Sequence, residues 1–313
     1  MTPSIRPLVL ALALLPAGGA WAQEDEACRV VRLSEPGWTD IAATNGIAAV
    51  LLDALGYEAE IRALSVPVGY AALADGDIDV FLGNWMPAQE AFREELEAEG
   101  AAVTLARNLS GAKFTLAVPR YVAEAGVTDF ADLAEHAERF DGRIYGIESG
   151  APANQSLKAM IEAGDFGLGE WSLVESGEQA MLAQVARTER GEDWIVFLAW
   201  APHPMNAAHD LAYLSGGDAY FGPDYGGAEV FTLARAGWPE ACPNAARLFE
   251  TLVFTVEMEN ELMRLILEEG QDPQATARTF LAANPGVLEP WLEGVATFDG
   301  APGLPAARDA LGL

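Results

Sequence analysis

Three tryptophans stand at the ends of short apolar runs. Trp38 follows Arg29-Val30-Val31-Arg32-Leu33 through a Pro-Gly turn, Trp85 follows Val80-Phe81-Leu82 within Gly83-Asn84-Trp85-Met86-Pro87, and Trp200 closes Trp194-Ile195-Val196-Phe197-Leu198-Ala199. In open α/β sheets the loops at strand ends carry the ligand site, and aromatic side chains with a few polar groups line it. A large ring preceded by Gly or followed by Pro is poorly placed for a core and well placed for a pocket wall. The chemistry on offer is binding against ring faces.

Residues for bond making are scarce. His136, His203 and His209 are the only histidines; none falls in an HExxH pattern, and the pair at 203 and 209 has no carboxylate or cysteine partner in sequence, so neither a zinc site nor a cofactor is expected. Gly146-Ile147-Glu148-Ser149-Gly150 is not the Gly-x-Ser-x-Gly of a nucleophile elbow. His203, between two prolines, is expected to shape the loop behind Trp200.

The first residues point to export. Arg6 precedes the apolar stretch Leu8 to Leu15, and Ala20-Trp21-Ala22 has the small-x-small pattern read by signal peptidase, so residues 1–22 read as a signal peptide. The apolar stretch is too short to span a bilayer stably, and the expected product is soluble and periplasmic. With 18 basic and 47 acidic residues the formal charge is −29. So acidic a surface argues against nucleic acid and anionic membranes and attracts cations, weakly at physiological salt. Lys113 and Lys158 are the only lysines, so compositional bias accounts for part of this charge. Cys28 and Cys242 are the only cysteines, and in an exported chain oxidation is the default, which predicts a Cys28–Cys242 disulfide.

The elements that must position the tryptophans follow from hydrophobic periodicity. Cys28 to Leu33, Glu60 to Leu64 and Val80 to Leu82 read as strands, with helices over Thr39 to Leu55 and Pro67 to Ala74 between them. Phe114 to Val118, Ile144 to Ile147, Leu173-Val174 and Trp194 to Ala199 continue the strands. Helices near Phe130 to Phe140, Asn154 to Ala163 and Glu178 to Arg190 separate them. This βαβ alternation implies parallel sheets flanked by helices. Leu211 to Leu214 and Val230 to Leu233 lead into Cys242 to Ala283, whose spacing is helical throughout. A Cys28–Cys242 bond requires both ends of the chain to share a lobe. The expected organisation is therefore a first lobe from 23–111 and 211–313, with a second lobe, 112–210, inserted in it. Trp38 and Trp85 then face Trp200 across a cleft.

The segments Gly37-Trp38-Thr39-Asp40, Phe81-Leu82-Gly83-Asn84-Trp85-Met86-Pro87, Gly111-Ala112-Lys113-Phe114-Thr115-Leu116, Ala199-Trp200-Ala201-Pro202-His203-Pro204-Met205 and Tyr225-Gly226-Gly227-Ala228-Glu229-Val230 occur in that order. Together they resemble the choline-binding periplasmic receptors of ABC transporters, within the larger glycine betaine and quaternary-amine receptor family. The resemblance runs from about Cys28 to Trp291. It implies a two-lobed periplasmic binding protein of type II, monomeric, that closes on its ligand, delivers it to a membrane permease and catalyses nothing.

Carried over by position, the resemblance makes Trp38, Trp85 and Trp200 walls of an aromatic box around a trimethylammonium group. The fourth wall in those receptors is a tyrosine; here it is Phe114, which keeps the π face and lacks the hydroxyl. Asp40 and Asn154 match the polar positions, where a carboxylate complements the cation and accepts the choline hydroxyl. Asp40 also sits where a helix N-cap would by itself explain an aspartate, and Gln155 beside Asn154 leaves that match open by one residue. A ligand carboxylate would meet Asp40 with like charge, which ranks choline above glycine betaine or carnitine. A secreted hydrolase of choline esters or phosphocholine could share such a box, but it needs a nucleophile or metal that the sequence does not offer.

Overall fold

The structure, a computed structural model, describes residues 23–313; the expected signal peptide, residues 1–22, lies outside them. The described strands are β1 (Val30–Glu35), β2 (Glu58–Ala63), β3 (Val80–Met86), β4 (Ala102–Pro119), β5 (Arg143–Tyr145), β6 (Ser172–Val174), β7 (Phe197–Ala201), β8 (Leu211–Tyr213) and β9 (Gly227–Arg235). They form one sheet in the order β2-β1-β3-β9-β4-β7-β5-β6, with β8 on β4. Its two ends are parallel, as the alternation of strand and helix predicts: β1 pairs with β2 and β3, and β5 with β6 and β7. The centre corrects the expectation of parallel sheets. There β9 runs antiparallel to β3 and β4, and β4 runs antiparallel to β7 and β8, because the chain enters and leaves the middle segment along β4 and β9 rather than through a crossover helix.

Strand β4 joins the two ends of the sheet. It is 18 residues long, against the usual five or six, and pairs with β9 from Ala102 to Lys113, then with β7 from Lys113 to Ala117. Three register slips between Thr104 and Ala112 bend it, as bulges do. Only its second part, around Phe114 to Val118, was predicted as strand; Thr104, Arg107, Asn108 and Ser110 break the apolar pattern of the first. Beyond β8, Phe221 packs against Phe130 and Phe114, at 5.8 and 5.5 Å between ring centres, and so lies with the middle segment.

Other differences have local causes. The run from Cys242 to Ala283 is three helices, Pro243–Thr251, Val256–Leu267 and Pro273–Ala283. Thr255 and Asp272 cap the second and third by accepting backbone N–H bonds, and such caps interrupt a pattern that remains helical in spacing. The segment Phe130–Phe140 is a kinked 3₁₀ helix with His136 out of helical geometry. Strand β7 starts three residues later than predicted. Trp194 is occupied by Arg139, whose guanidinium lies 3.6 Å from the ring centre, and by the edge-to-face ring of Phe140.

The helix Thr39–Ala54 is apolar on nearly every side, and thirteen of its sixteen residues are buried. It packs against the helices Val256–Leu267 and Pro273–Ala283. Gly46 permits this approach, since a Cβ there would stand 2.5 Å from the Pro273 carbonyl oxygen. The N-terminus of this helix is thereby held at the C-terminal end of β1, under Trp38.

Cys28 and Cys242 form the expected disulfide, with Cα atoms 5.6 Å apart and 214 positions between them in sequence. It ties the segment entering β1 to the start of the helix Pro243–Thr251. Converting both cysteines to serine is expected to cost about 2–5 kcal/mol, through the closed loop that restricts the unfolded chain. Guanidinium unfolding followed by circular dichroism reads this loss, and an unmoved midpoint would show that the bond adds nothing.

Candidate functional site

Four aromatic residues and one acidic residue, Trp38, Trp85, Phe114, Trp200 and Asp40, line one space of about 440 Å³ that is open to solvent. Each ring arrives from a different element. Gly37, with φ of +90°, turns the chain so that Trp38 is the last residue before the helix Thr39–Ala54. Trp85 lies in β3, followed by a cis Met86-Pro87 bond. Phe114 and Trp200 are directly paired across β4 and β7 and therefore project on the same face. Gly226 makes room beside them: its φ is +71°, and a Cβ would collide with the Phe114 carbonyl oxygen, 1.8 Å away.

Two of the three indole N–H groups have carboxyl acceptors. Trp85 Nε1 donates to Asp40 Oδ2 at 2.9 Å, and Trp38 Nε1 donates to Glu148 Oε1 at 2.8 Å. Trp200 meets the edge of His203, ring centres 5.0 Å apart at 78°. His203 does shape this loop, through bonds the sequence does not announce. Its Nδ1 accepts from the Met205 N–H at 2.9 Å, so Nε2 carries the proton and faces Glu178 Oε1 at 3.2 Å. His209 likewise has a glutamate partner, Glu189, at 2.6 Å. Both carboxylates are absent from the sequence neighbourhood of the histidines they serve.

Asp40 is two per cent exposed. It is the second residue of its helix and not the N-cap, a position taken by Trp38 without a side-chain cap. Burial, reinforced by the charge of Glu178, pushes its carboxyl up to about 7, against the opposing bond from Trp85. Glu148 is raised by burial, and Glu259, in the helix Val256–Leu267, is pushed well up by burial and by Asp40. Among the described residues lining the space none is lysine, arginine or histidine. Buried carboxyl groups that hold their protons more tightly than usual therefore gather around a cavity with no basic side chain in its walls.

Asn154 is not brought into the space. Its Oδ1 accepts from the Ile147 N–H, and its Nδ2 faces the carbonyls of Ile147 and Glu148 and the Glu175 carboxylate, all within 3.1 Å. The amide is fully occupied in fastening the loop that carries Glu148. Gln155 is exposed and reaches only toward the Gly150 carbonyl. In place of Asn154 the same segment offers Ile147, Pro152 and Ala153 to the cavity, and the segment after β3 adds Ala88 and Gln89. Gln89 is spent as well, donating to the Gly83 carbonyl and accepting from the Tyr70 hydroxyl.

A mixed α/β sheet shared by two helix-flanked halves, with an aromatic-walled space where they meet, defines a periplasmic binding protein fold. The chain belongs to the OpuAC family, described as the substrate-binding domain of ABC-type glycine betaine transport systems, which it matches over residues 29–283. Among solved structures, it is 52% identical to an ABC-transporter choline binding protein in complex with choline, with a TM-score of 0.91 over 92% of this chain and all of that one. An ABC-transporter choline binding protein in an unliganded semi-closed conformation has the same identity and coverage and a lower TM-score, 0.85. The glycine betaine/carnitine transport binding protein of Listeria monocytogenes is 29% identical over 164 residues, 52% of this chain and 53% of that protein.

Asp40 makes stability depend on pH. In the ligand-free fold it gains its charge only above about 7, whereas its ordinary value is 3.8. Its contribution is complete below the lower value and is lost as pH rises through the higher. The melting temperature of the wild type, relative to Asp40→Asn, is therefore expected to fall between about pH 4 and pH 7 and to level off above. The full difference is on the order of 4 kcal/mol, at about 1.4 kcal/mol per pH unit of displacement. Parallel melting curves across that range would show Asp40 to be solvated.

Proposed function

We propose that this protein is a periplasmic receptor that encloses choline in the box formed by Trp38, Trp85, Phe114 and Trp200 and hands it to an ABC permease, without chemical change. The observation that carries the proposal is that four aromatic residues and the buried Asp40 line one space with no basic side chain in its lining. A quaternary ammonium has no N–H to donate, so ring faces and opposite charge must hold it. Each desolvated face contributes on the order of 1–2 kcal/mol, and three or four faces reach the scale of micromolar binding after association costs. In this reading Asp40 complements the cation, and Asn154 acts on the ligand indirectly, by fixing the Ile147–Glu148 loop. The second lobe extends from β4 to about Gly226, since β8 and Phe221 pack with it, and the first comprises the remainder.

The absence of a basic wall favours choline over glycine betaine, because a ligand carboxylate needs a cationic or donor-rich partner and would here face Asp40. Export, the periplasmic location and the monomeric state belong to the same proposal.

Calorimetry with choline tests it. The wild type is expected to bind choline and release it unchanged, and Trp85→Ala or Trp200→Ala to weaken binding by about tenfold or more, since a lost face removes over a kilocalorie. Unaltered affinity in both variants would refute the aromatic box.

Asp40→Asn separates the ligands. Choline binding is expected to drop and its pH dependence near 7 to vanish, while glycine betaine gains relative to choline. Equal losses for both ligands would make Asp40 a structural residue.

A further inference from the structure

Apart from the sheet they share, the two halves of the molecule are joined by side-chain bonds beside the cavity. Trp38 and Thr39, at the start of the helix Thr39–Ala54, belong to the first lobe, and Glu148, Glu178 and His203 belong to the second. Glu178 Oε2 accepts from the Thr39 backbone N–H at 3.0 Å and Glu178 Oε1 from the Thr39 hydroxyl at 2.5 Å. Glu148 Oε1 accepts from the Trp38 indole at 2.8 Å. These partners stand 139 and 110 positions apart in sequence. Glu178 is four per cent exposed and Thr39 six.

Helix starts leave backbone N–H groups without partners, and the residue before the helix normally supplies an acceptor. Trp38 has none to give. The acceptor comes instead from across the cleft, as a carboxylate at the positive end of the helix. Glu178 Oε1 is also within 3.2 Å of His203 Nε2, and His203 backs Trp200. One carboxylate thus connects the helix that follows the Trp38 wall to the residue behind the Trp200 wall.

We infer that Glu178, with Glu148 beside it, is a clasp between the lobes: a pair of positioning residues that grip Trp38-Thr39 only when the lobes are shut and so set how long the ligand stays. The inference rests on the ligand-enclosing function proposed above and names residues that do not line the cavity. The bonds require both lobes at once, so a ligand entering an open cleft meets neither, and a ligand leaving must first wait for both to break. The clasp therefore acts on release rather than on capture. The three carboxylates of Asp40, Glu148 and Glu178 approach one another as it shuts, with Glu178 raising the proton affinity of the other two. A bound cation relieves that repulsion, so that closure and cation binding favour each other.

Stopped-flow tryptophan fluorescence with choline, on the full chain, distinguishes the possibilities. Glu178→Gln is expected to speed choline release about tenfold or more and Thr39→Val about threefold or more, the range of a hydrogen bond to a charged group. Association rates should stay within about threefold of wild type. The double variant should release choline no faster than Glu178→Gln alone, because the two substitutions break the same link. Melting temperatures of the ligand-free variants, measured alongside, report any general loss of fold. Wild-type release rates in both variants, or slower association with unchanged release, overturn the clasp while leaving the box intact. A wild type that gives no response to choline overturns the box, and the clasp with it.

Discussion

Strand β4 is the constraint on which the site depends. It is bonded along its first part to β9 and along its second to β7, so the two halves of the molecule share one hydrogen-bonded ladder and cannot drift apart at that edge. The pairing of Phe114 with Trp200 is a consequence of this register. A slip of one residue would turn one of the two rings to the opposite face of the sheet. Trp85 is similarly paired with Val230 of β9, so three of the four walls are anchored in ladders rather than loops. Only Trp38 is placed by a helix start.

The electrostatics follow from that geometry. Four carboxyls, those of Asp40, Glu148, Glu178 and Glu259, are gathered in or near the wall with little water, and burial raises the first, second and fourth. Two of the four accept indole N–H bonds, which orients the rings. Elsewhere the buried Asp79 is flanked by Arg32 and Arg235 at 2.9 and 2.7 Å. Asp79 is given two arginines by the chain, whereas Asp40, Glu148, Glu178 and Glu259 have no arginine or lysine partner among the described residues.

The three tryptophans were legible in the sequence because each stands near the end of an apolar run with Gly or Pro close by, a context that suits a pocket and not a core, whereas Phe114 was reached only through the resemblance. Most strands and helices were legible for the usual reason of periodicity. The polar part of the site was legible only at Asp40. Asn154 has the right chemistry for a ligand hydroxyl, but residue type gives bonding capacity and not direction, and its amide turned inward to hold its own loop. Glu148 and Glu178 carried no signal, and His203 only that of its place between two prolines, since their partners are brought together by the sheet and not by any local pattern. The first part of β4 was missed because its register slips and polar residues obscure the period of two. The mixed centre of the sheet depends on which strands the chain uses to cross between halves, and strand periodicity is silent on that.

The Cys28–Cys242 bond makes a covalent ring of the chain between them, and every residue lining the cavity lies inside that ring. A single peptide cleavage anywhere along it leaves one connected molecule with all of its walls attached. Separating Trp38 from Trp200 takes a second cut or the reduction of a bond whose cysteines are both almost wholly buried. The site thus tolerates a nick in any one of its connecting loops, a redundancy that neither the sheet nor the hydrophobic core supplies by itself.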